Sequence, residues 1–330
     1  IKGHVSLGSL RIRQDFLIAQ ALQAPYASDD TSDQFALEMA LARIRQLSAH
    51  EVGHTIGLAH NFAASSKGRS SVMDYPHPTL SIKDGRVDFT DAYDTKIGDW
   101  DKVSIAYSYS EFKTDEDANL KSILNDAFNN GARFITDQDA RPLGSAHAYA
   151  HLWDNGSDVS VELENLLLIR KNAIANFSKD NIKSNQPYSV LEDVFVPLYF
   201  LHRYQTEGVA KVIGGLDYTY AIKDDGNTIV KRIPGKLERK ALASVIKTLS
   251  VEELAIPKKI LNLFPPRAFN YGRTRESFKS KTGVAFDPFG AVETASSMTL
   301  GLLLHPERVT RLVQHKSLDS SQLGLAEVLD

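Results

Sequence analysis

The sequence predicts an α+β fold that is mainly α-helical. Apolar residues recur at intervals of three and four through most of the 330 residues, whereas the alternation typical of strands is confined to the first residues and to one later hairpin. A composition of 42% hydrophobic and 24% charged residues allows a substantial core. We therefore divide the chain into residues 1–113, which hold one strand and one long helix, and a mostly helical region at residues 114–330.

The first element is a predicted strand. Val5 and Leu7 alternate with polar neighbours, and residues 10–13 continue the alternation in the opposite phase. The slip at Gly8 and Ser9 is what a β-bulge produces, because one extra residue inverts the faces of a strand.

A long helix is predicted next, over about residues 32–57. Thr31 and Gln34 match a capping box at its start. The apolar residues that recur at helical spacing along it are Leu37, Leu41, Ile44, Leu47 and Val52.

The end of this helix carries the pattern HExxHxxGxxH at residues 50–60. His50 and His54 are four residues apart, so both can bind one metal ion at about 2.0–2.1 Å from a helix face. The carboxylate of Glu51 can then reach a water polarised by the metal, which is the position of a general base. Gly57 can adopt the left-handed conformation that ends a helix and returns His60 to the same metal.

The simpler alternative for HExxH is a solvated helix face. Gly57 and His60 extend HExxH to HExxHxxGxxH, and each has a structural role in a metal site, so the longer pattern strongly favours a catalytic zinc site.

Residues 50–60 and the following Ser-Val-Met-Asp-Tyr at 71–75 resemble the metzincin metallopeptidases, whose signature is HExxHxxGxxH followed by a methionine-containing turn. The resemblance implies that Met73 forms a hydrophobic floor beneath the zinc ligands. The position of Tyr75, two residues later, is similar to that in astacins and serralysins and implies a contact with zinc or with the oxyanion. The alternative for Tyr75 is a wall residue of the pocket.

A further resemblance covers nearly the whole chain. Segments 3–10, 91–94 and 202–205 look like the large bacterial, Bacteroidetes-type family of zinc-dependent metalloproteases. Metzincin domains place a mostly parallel sheet before the zinc helix, yet 49 residues precede His50. The resemblance therefore implies a truncated metzincin-like subdomain of edge strand, zinc helix and Met-turn, which an upstream segment of the same precursor completes. Gly8 and Ser9 on that strand would contact an extended peptide substrate.

Beyond the zinc helix, residues 61–95 are predicted to form a loop that includes the Met-turn, and a helix is predicted at about 99–112. A hairpin is predicted at 218–222 and 228–233 around Asp225-Gly226-Asn227, and Pro197 is expected to kink its helix. The remaining predicted helices cover about residues 116–130, 159–178, 189–213, 235–248, 250–262, 289–304 and 306–315.

Three other histidines are candidate metal ligands. His77 lies between prolines, which suits an ordered turn better than a fourth ligand. His147 and His151 are four apart, but no third ligand follows, so polar roles at the surface or in the core are favoured.

The segment His202-Arg203-Tyr204 lies on a helix that is otherwise apolar. Arg203 could clamp a substrate carboxylate with its two-pronged guanidinium. The favoured interpretation is a buried ion pair, for which the candidate partners are Glu192, Asp193 and Glu207.

Composition limits the function classes. The 38 basic and 41 acidic residues leave a net charge of −3, so no electrostatic footprint for nucleic acid is present, and no run of 18 apolar residues predicts a membrane span. The absence of cysteine excludes thiolate ligation of zinc and fits a cytoplasmic or an envelope protein.

The sequence thus predicts a secreted or periplasmic zinc endopeptidase that acts on peptides or proteins. Two alternatives remain open: a non-catalytic peptide-binding module with a vestigial zinc site, and a zinc amidase that acts on cell-wall peptides.

Overall fold

The protein is described by a computed structural model that covers residues 3–26, 34–274 and 276–330. It is mainly helical, and its strands form two antiparallel hairpins, as the α+β prediction requires. The helices are α1 (Ser9–Gln23), α2 (Gln34–Thr55), α3 (Asp99–Tyr109), α4 (Glu116–Asn129), α5 (Asp137–Ala140), α6 (Val159–Asn176), α7 (Leu191–Tyr199), α8 (Arg203–Val212), α9 (Gly235–Lys247), α10 (Val251–Leu254), α11 (Lys258–Leu261), α12 (Pro288–Leu303), α13 (Pro306–Leu318) and α14 (Leu325–Leu329). The strands are β1 (Ser81–Lys83), β2 (Arg86–Asp88), β3 (Leu216–Tyr218) and β4 (Val230–Arg232).

The predicted N-terminal strand is wrong. Residues 3–8 form no regular element, and α1 begins at Ser9 with Gly8 as its N-cap. Helix α1 buries Asp15, Ala19 and Leu22 on one face, a spacing of four and three that outweighs the short alternation before it. The predicted substrate contacts at Gly8 and Ser9 therefore lack the strand edge that was to provide them.

The predicted zinc helix is confirmed as α2. It packs against α1, which in turn packs against α7. Thr31 lies outside the described residues, so the capping box predicted with Gln34 stays a prediction.

Most of the later helices are confirmed within a few residues. Two predicted helices are each divided. The helix predicted at 189–213 is divided into α7 and α8 by a turn at residues 200–202, and Pro197 lies inside α7, three residues before that turn. The helix predicted at 250–262 is divided into α10 and α11 at Pro257.

The two hairpins differ in the length of their loops: residues 84–85 join β1 to β2, whereas residues 219–229 join β3 to β4. The predicted hairpin is β3–β4, in which Leu216 pairs with Arg232, but its first strand lies at Leu216–Tyr218 rather than at 218–222. The other hairpin, β1–β2, was not predicted. Its turn is Asp84-Gly85, a sequence that favours tight hairpins, and both residues have positive φ (50° and 76°).

The main core lies between α1, α6 and α7, with buried side chains that include Leu22, Leu166, Phe195 and Tyr199. Residues on both sides of position 113 contribute to it, and the division into 1–113 and 114–330 stays a prediction. Within the described part of the chain, no helix combines the length and the apolar character needed to cross a membrane.

Candidate metal centre

The end of α2 turns the chain back toward its own last turn. Gly57 has φ of +89°, the left-handed conformation predicted for it, and its amide bonds to the His54 carbonyl at 3.0 Å. The Leu58 amide bonds to the Gly53 carbonyl at 3.0 Å. This C-terminal turn brings His60 beside the two histidines of the helix.

The side chains of His50, His54 and His60 converge. Each offers one nitrogen, and these atoms lie within 4.8 Å of one another, a spacing that can hold a metal ion. The Nε2 atoms of His54 and His60 are 3.1 Å apart. Two nitrogens bound tetrahedrally at about 2.0–2.1 Å from zinc are about 3.3 Å apart, so this pair fits zinc closely.

The other ring nitrogen of each histidine already has a partner. His50 Nδ1 lies 2.6 Å from the Val72 carbonyl oxygen, and His54 Nδ1 lies 2.9 Å from that of Leu58. His60 Nδ1 lies 2.8 Å from Asp137 Oδ2. Because oxygen acceptors hold the proton on Nδ1, Nε2 keeps its lone pair for a metal in all three rings.

Burial keeps two of these rings neutral. It lowers the pKa of His50 to about 4, although the hydrogen bond to Val72 opposes the change. Burial also lowers the pKa of His60, against the opposing effect of Asp137. Neutral imidazole is the form that binds zinc.

Asp137 on α5 is the acidic partner of His60. Its other oxygen accepts a hydrogen bond from Arg141. Partial burial disfavours its charged form, yet the hydrogen bonds from Arg141 and His60 prevail and lower the pKa of Asp137 to about 2. A carboxylate is therefore present beside His60 throughout the neutral range.

Met73 packs against Gly53 of the helix that carries the motif, and its role as a floor beneath the zinc ligands stays a prediction. Met73 is buried, and a Cβ atom built on Gly53 would lie 2.3 Å from its sulfur. A side chain at residue 53 would therefore require the thioether of Met73 to move.

Asp101 holds the Met-turn in place. Its carboxylate accepts hydrogen bonds from Ser71 Oγ at 2.6 Å and from the amides of Val72 and Gly98 at 2.8 and 2.6 Å. The first residues of α3 thus fix the carbonyl of Val72 that orients His50.

Tyr75 lies against the histidines. Its ring centroid is 5.2 Å from that of His50 and 4.9 Å from that of His60. Arg141 Nη2 donates to the Tyr75 hydroxyl oxygen at 3.3 Å. The phenolic hydrogen remains available to a further acceptor in the site.

Glu51 is half-buried and makes no hydrogen bond to any residue that the structure describes. Its carboxylate is therefore free to act on a ligand. Its role as general base stays a prediction here.

The remaining histidines lie outside the cluster. His77 is buried, with Nδ1 at 3.1 Å from the Pro78 carbonyl oxygen, in the turn predicted for it. His147 contacts the Tyr218 carbonyl at 2.9 Å, and His151 lies 3.4 Å from Glu207. Both are buried polar residues, as favoured.

The ion pair favoured for Arg203 is wrong. Arg267 takes Asp193 in a two-pronged pair at 2.8 and 3.0 Å, and it also lies 3.2 Å from Glu192. Glu207 faces His151 instead. Arg203 donates to the Tyr204 hydroxyl at 2.7 Å.

Three residues that support the centre were not predicted: Asp101, Asp137 and Arg141. Asp137 is 77 residues from His60, and no spacing rule connects the two. The signal for Gly53 was available, because a glycine inside a helix pattern often marks close packing.

The comparisons with known proteins agree with this geometry. A family model described as Met-zincin matches residues 32–330, which is nearly the whole chain and includes every residue of the histidine cluster. Neither the curated proteins nor the solved structures gave a match. The family implies a zinc metallopeptidase of the metzincin type, and on this match the chain belongs to the Met-zincin family.

Proposed function

We propose that the protein is a zinc-dependent endopeptidase in which His50, His54 and His60 hold the metal. The observation that carries the proposal is the convergence of one nitrogen from each of the three rings, while every Nδ1 lies at hydrogen-bond distance from an oxygen. Zinc, when bound there, polarises the scissile carbonyl and lowers the pKa of water toward about 7.

The chain's own residues move the protons. Glu51 follows the first ligand and has no competing partner among the described residues, so its carboxylate accepts a proton from the attacking water. The same carboxyl group then donates that proton to the leaving amine nitrogen. Tyr75 donates its phenolic hydrogen to the carbonyl oxygen as negative charge develops there.

Arg141 is a positioning residue in this scheme. It donates to the oxygen of Tyr75, and its guanidinium carbon lies 5.3 Å from the centroid of that ring. Both contacts orient the hydroxyl, because an oxygen that accepts from Arg141 directs its own hydrogen elsewhere.

The decisive experiment replaces Glu51 by glutamine. Glu51→Gln should keep stoichiometric zinc and lose turnover by about 100-fold or more, because an amide cannot accept the proton of water. Zinc is measured by metal analysis and turnover with a peptide library. Glu38→Gln, an exposed residue on the same helix, is the matched control and should keep both. Near wild-type cleavage by Glu51→Gln would end the general-base assignment.

The same assay separates the alternatives. A vestigial peptide-binding module would hold peptides without cleaving them, and a zinc amidase would cleave cell-wall peptides in preference to the library. The intact Glu51 favours an active site over a vestigial one, since a carboxylate next in sequence to the first ligand and without a described partner has a direct chemical use.

We further propose that an upstream segment of the same precursor covers α2, and that the protein acts in a secreted or periplasmic location. Leu37, Leu41 and Val52 lie along one face of α2 and are 43%, 41% and 53% exposed. Amide hydrogen exchange of α2 in the longest natural form of the protein tests the first point. Protection no greater than in residues 1–330 alone would contradict it.

A further inference from the structure

A cavity of about 500 Å³ lies next to the metal centre. Helices α1 and α7 form two of its sides and residues 76–78 after the Met-turn form a third, and it is also lined by residues 276–279, by Arg43 of α2 and by the start of α8. A volume of this size accommodates a small ligand or one residue of a peptide. It is separate from the histidine cluster, none of whose rings lines it.

The cavity connects to the metal centre through stacked rings. Trp153 lines the cavity, and its ring lies 5.3 Å from that of Tyr75 at an interplanar angle of 24°. The ring of Trp153 also lies 4.6 Å from that of Tyr204, which lines the cavity too. A ligand in the cavity would thus be one ring away from Tyr75.

Two arginines that line the cavity have no acidic partner. Arg203 bonds to the hydroxyl of Tyr204 and lies 4.3 Å from the centroid of its ring. Arg43 is only 4% exposed, and its partners are Gln46 and the ring of Tyr93. Over the described ranges, no carboxylate lies within 4.0 Å of either guanidinium.

The acidic residues that line the cavity are already engaged. Asp193 is held by Arg267, and Glu276 by Arg13. Asp15 accepts a hydrogen bond from the Tyr93 hydroxyl at 2.6 Å. Among the described lining residues, the cations Arg13, Arg43, Arg203 and Lys279 outnumber the carboxylates of Asp15, Asp193 and Glu276 by one.

The remaining wall is apolar. Leu17, Ile18, Val196 and Phe200 line it. A buried cation surrounded by such side chains is costly unless an anion joins it, so a ligand with one carboxylate and an apolar stem would fit both features.

We propose that this cavity binds a carboxylate of the peptide substrate, with Arg203 as its two-pronged donor and Arg43 as a second positive charge. The carboxylate belongs either to an acidic side chain or to the C-terminus of the peptide. The proposal deepens the peptidase function and rests on it for the identity of the ligand. The planar guanidinium matches a carboxylate in geometry as well as in charge.

The binding test needs no turnover. The probes are N-acetylglutamate α-amide against N-acetylglutamine α-amide for the side-chain source, and N-acetyl-leucine against its amide for the C-terminal source. Binding is followed by the fluorescence of Trp153 in a Trp100→Phe variant, because the chain has two tryptophans. We expect one acid to bind about 10-fold or more tightly than its amide.

Arg203→Gln should abolish this preference for the acid, and Arg203→Lys should keep part of it, since charge remains but the two-pronged geometry is lost. Arg45→Gln removes an equal charge from the exposed face of α2, outside the cavity lining, and should leave the preference unchanged. If Arg203→Gln does not fold, as judged by circular dichroism, the comparison rests on Arg203→Lys. Equal binding of both acids and their amides, or a preference that survives in both variants, would overturn the proposal.

Cleavage then separates the two proposals. If acidic probes bind through Arg203 but no peptide is cleaved, the cavity stands and the peptidase assignment fails. If peptides are cleaved with no preference for a carboxylate and wild type and Arg203→Gln have equal kcat/KM, the peptidase stands and the cavity proposal fails.

Discussion

Asp137→Asn is the substitution that best tests how the centre is built. The change keeps the size of the side chain and removes the negative charge 2.8 Å from His60 Nδ1. Loss of an outer carboxylate typically costs about 10–100-fold in metal affinity, because the ligand loses its orientation and part of its basicity. Asp137 is 40% exposed, and solvent screens its charge, so we expect the lower half of this range, about 10–30-fold.

Zinc affinity is measured by competition with a chromophoric chelator at fixed pH. Asp139→Asn is the matched control, because Asp139 lies on the same short helix and accepts hydrogen bonds from Tyr218 and Tyr220 instead of a histidine. It should leave zinc affinity within about twofold of wild type. Circular dichroism of both variants reports any loss of fold.

Two results would refute the reasoning. Unchanged zinc affinity in Asp137→Asn would show that the carboxylate does not support His60. An equal loss in Asp139→Asn would show that the effect comes from disturbing α5 rather than from the bond to the ligand.

Three further substitutions test separate parts of the centre. His60→Ala should lose zinc during dialysis against a mild chelator, since two protein ligands remain where catalytic zinc has three; retained stoichiometric zinc would point to another ligand. Tyr75→Phe should lower kcat by up to about 10²–10³-fold and leave KM nearly unchanged, because the lost hydrogen bond forms only in the transition state; an effect on KM alone would make Tyr75 a wall residue. Gly53→Ala should lower the free energy of unfolding by about 1–3 kcal/mol, because its Cβ would meet the sulfur of Met73 at 2.3 Å; an unchanged thermal midpoint would contradict this contact.

The centre was predictable where its geometry is local. His50 and His54 are related by one helical turn, and His60 by a glycine turn whose positive φ was predicted at Gly57. Both relations involve residues close together in the sequence, so they can be predicted without knowledge of the rest of the fold. Helix α2 itself was predicted from the helical spacing of its apolar residues.

Contacts across the fold were not predictable in this way. Asp137 reaches His60 only because residues 133–137 run beside the loop after α2, where the Ile135 carbonyl accepts from the amide of Phe62. Arg203 was expected to pair with nearby acids, but Arg267 reaches Asp193 first from a distant loop. The spacing of residues in one sequence does not show which of several arginines will pair with a given carboxylate.

The prediction for the N-terminal residues, where the structure has α1, failed for a different reason. The alternation at residues 5–7 and 10–13 suggested a strand, yet α1 buries side chains at helical spacing as far as Leu22. Short alternation is weak evidence, because a helix of mixed composition produces it by chance over one or two turns.

Helix α2 shows that periodicity predicts a helix better than it predicts which face is buried. The stripe that defined the helix includes Leu37 and Leu41, which are exposed. The buried face instead carries Ala36, Met39 and Ala40 toward α1, and farther along it carries the first ligand. Small side chains allow α1 to approach closely, and this packing fixes the end of α2 on which the histidines depend. The larger apolar stripe, Leu37, Leu41 and Val52, is left exposed.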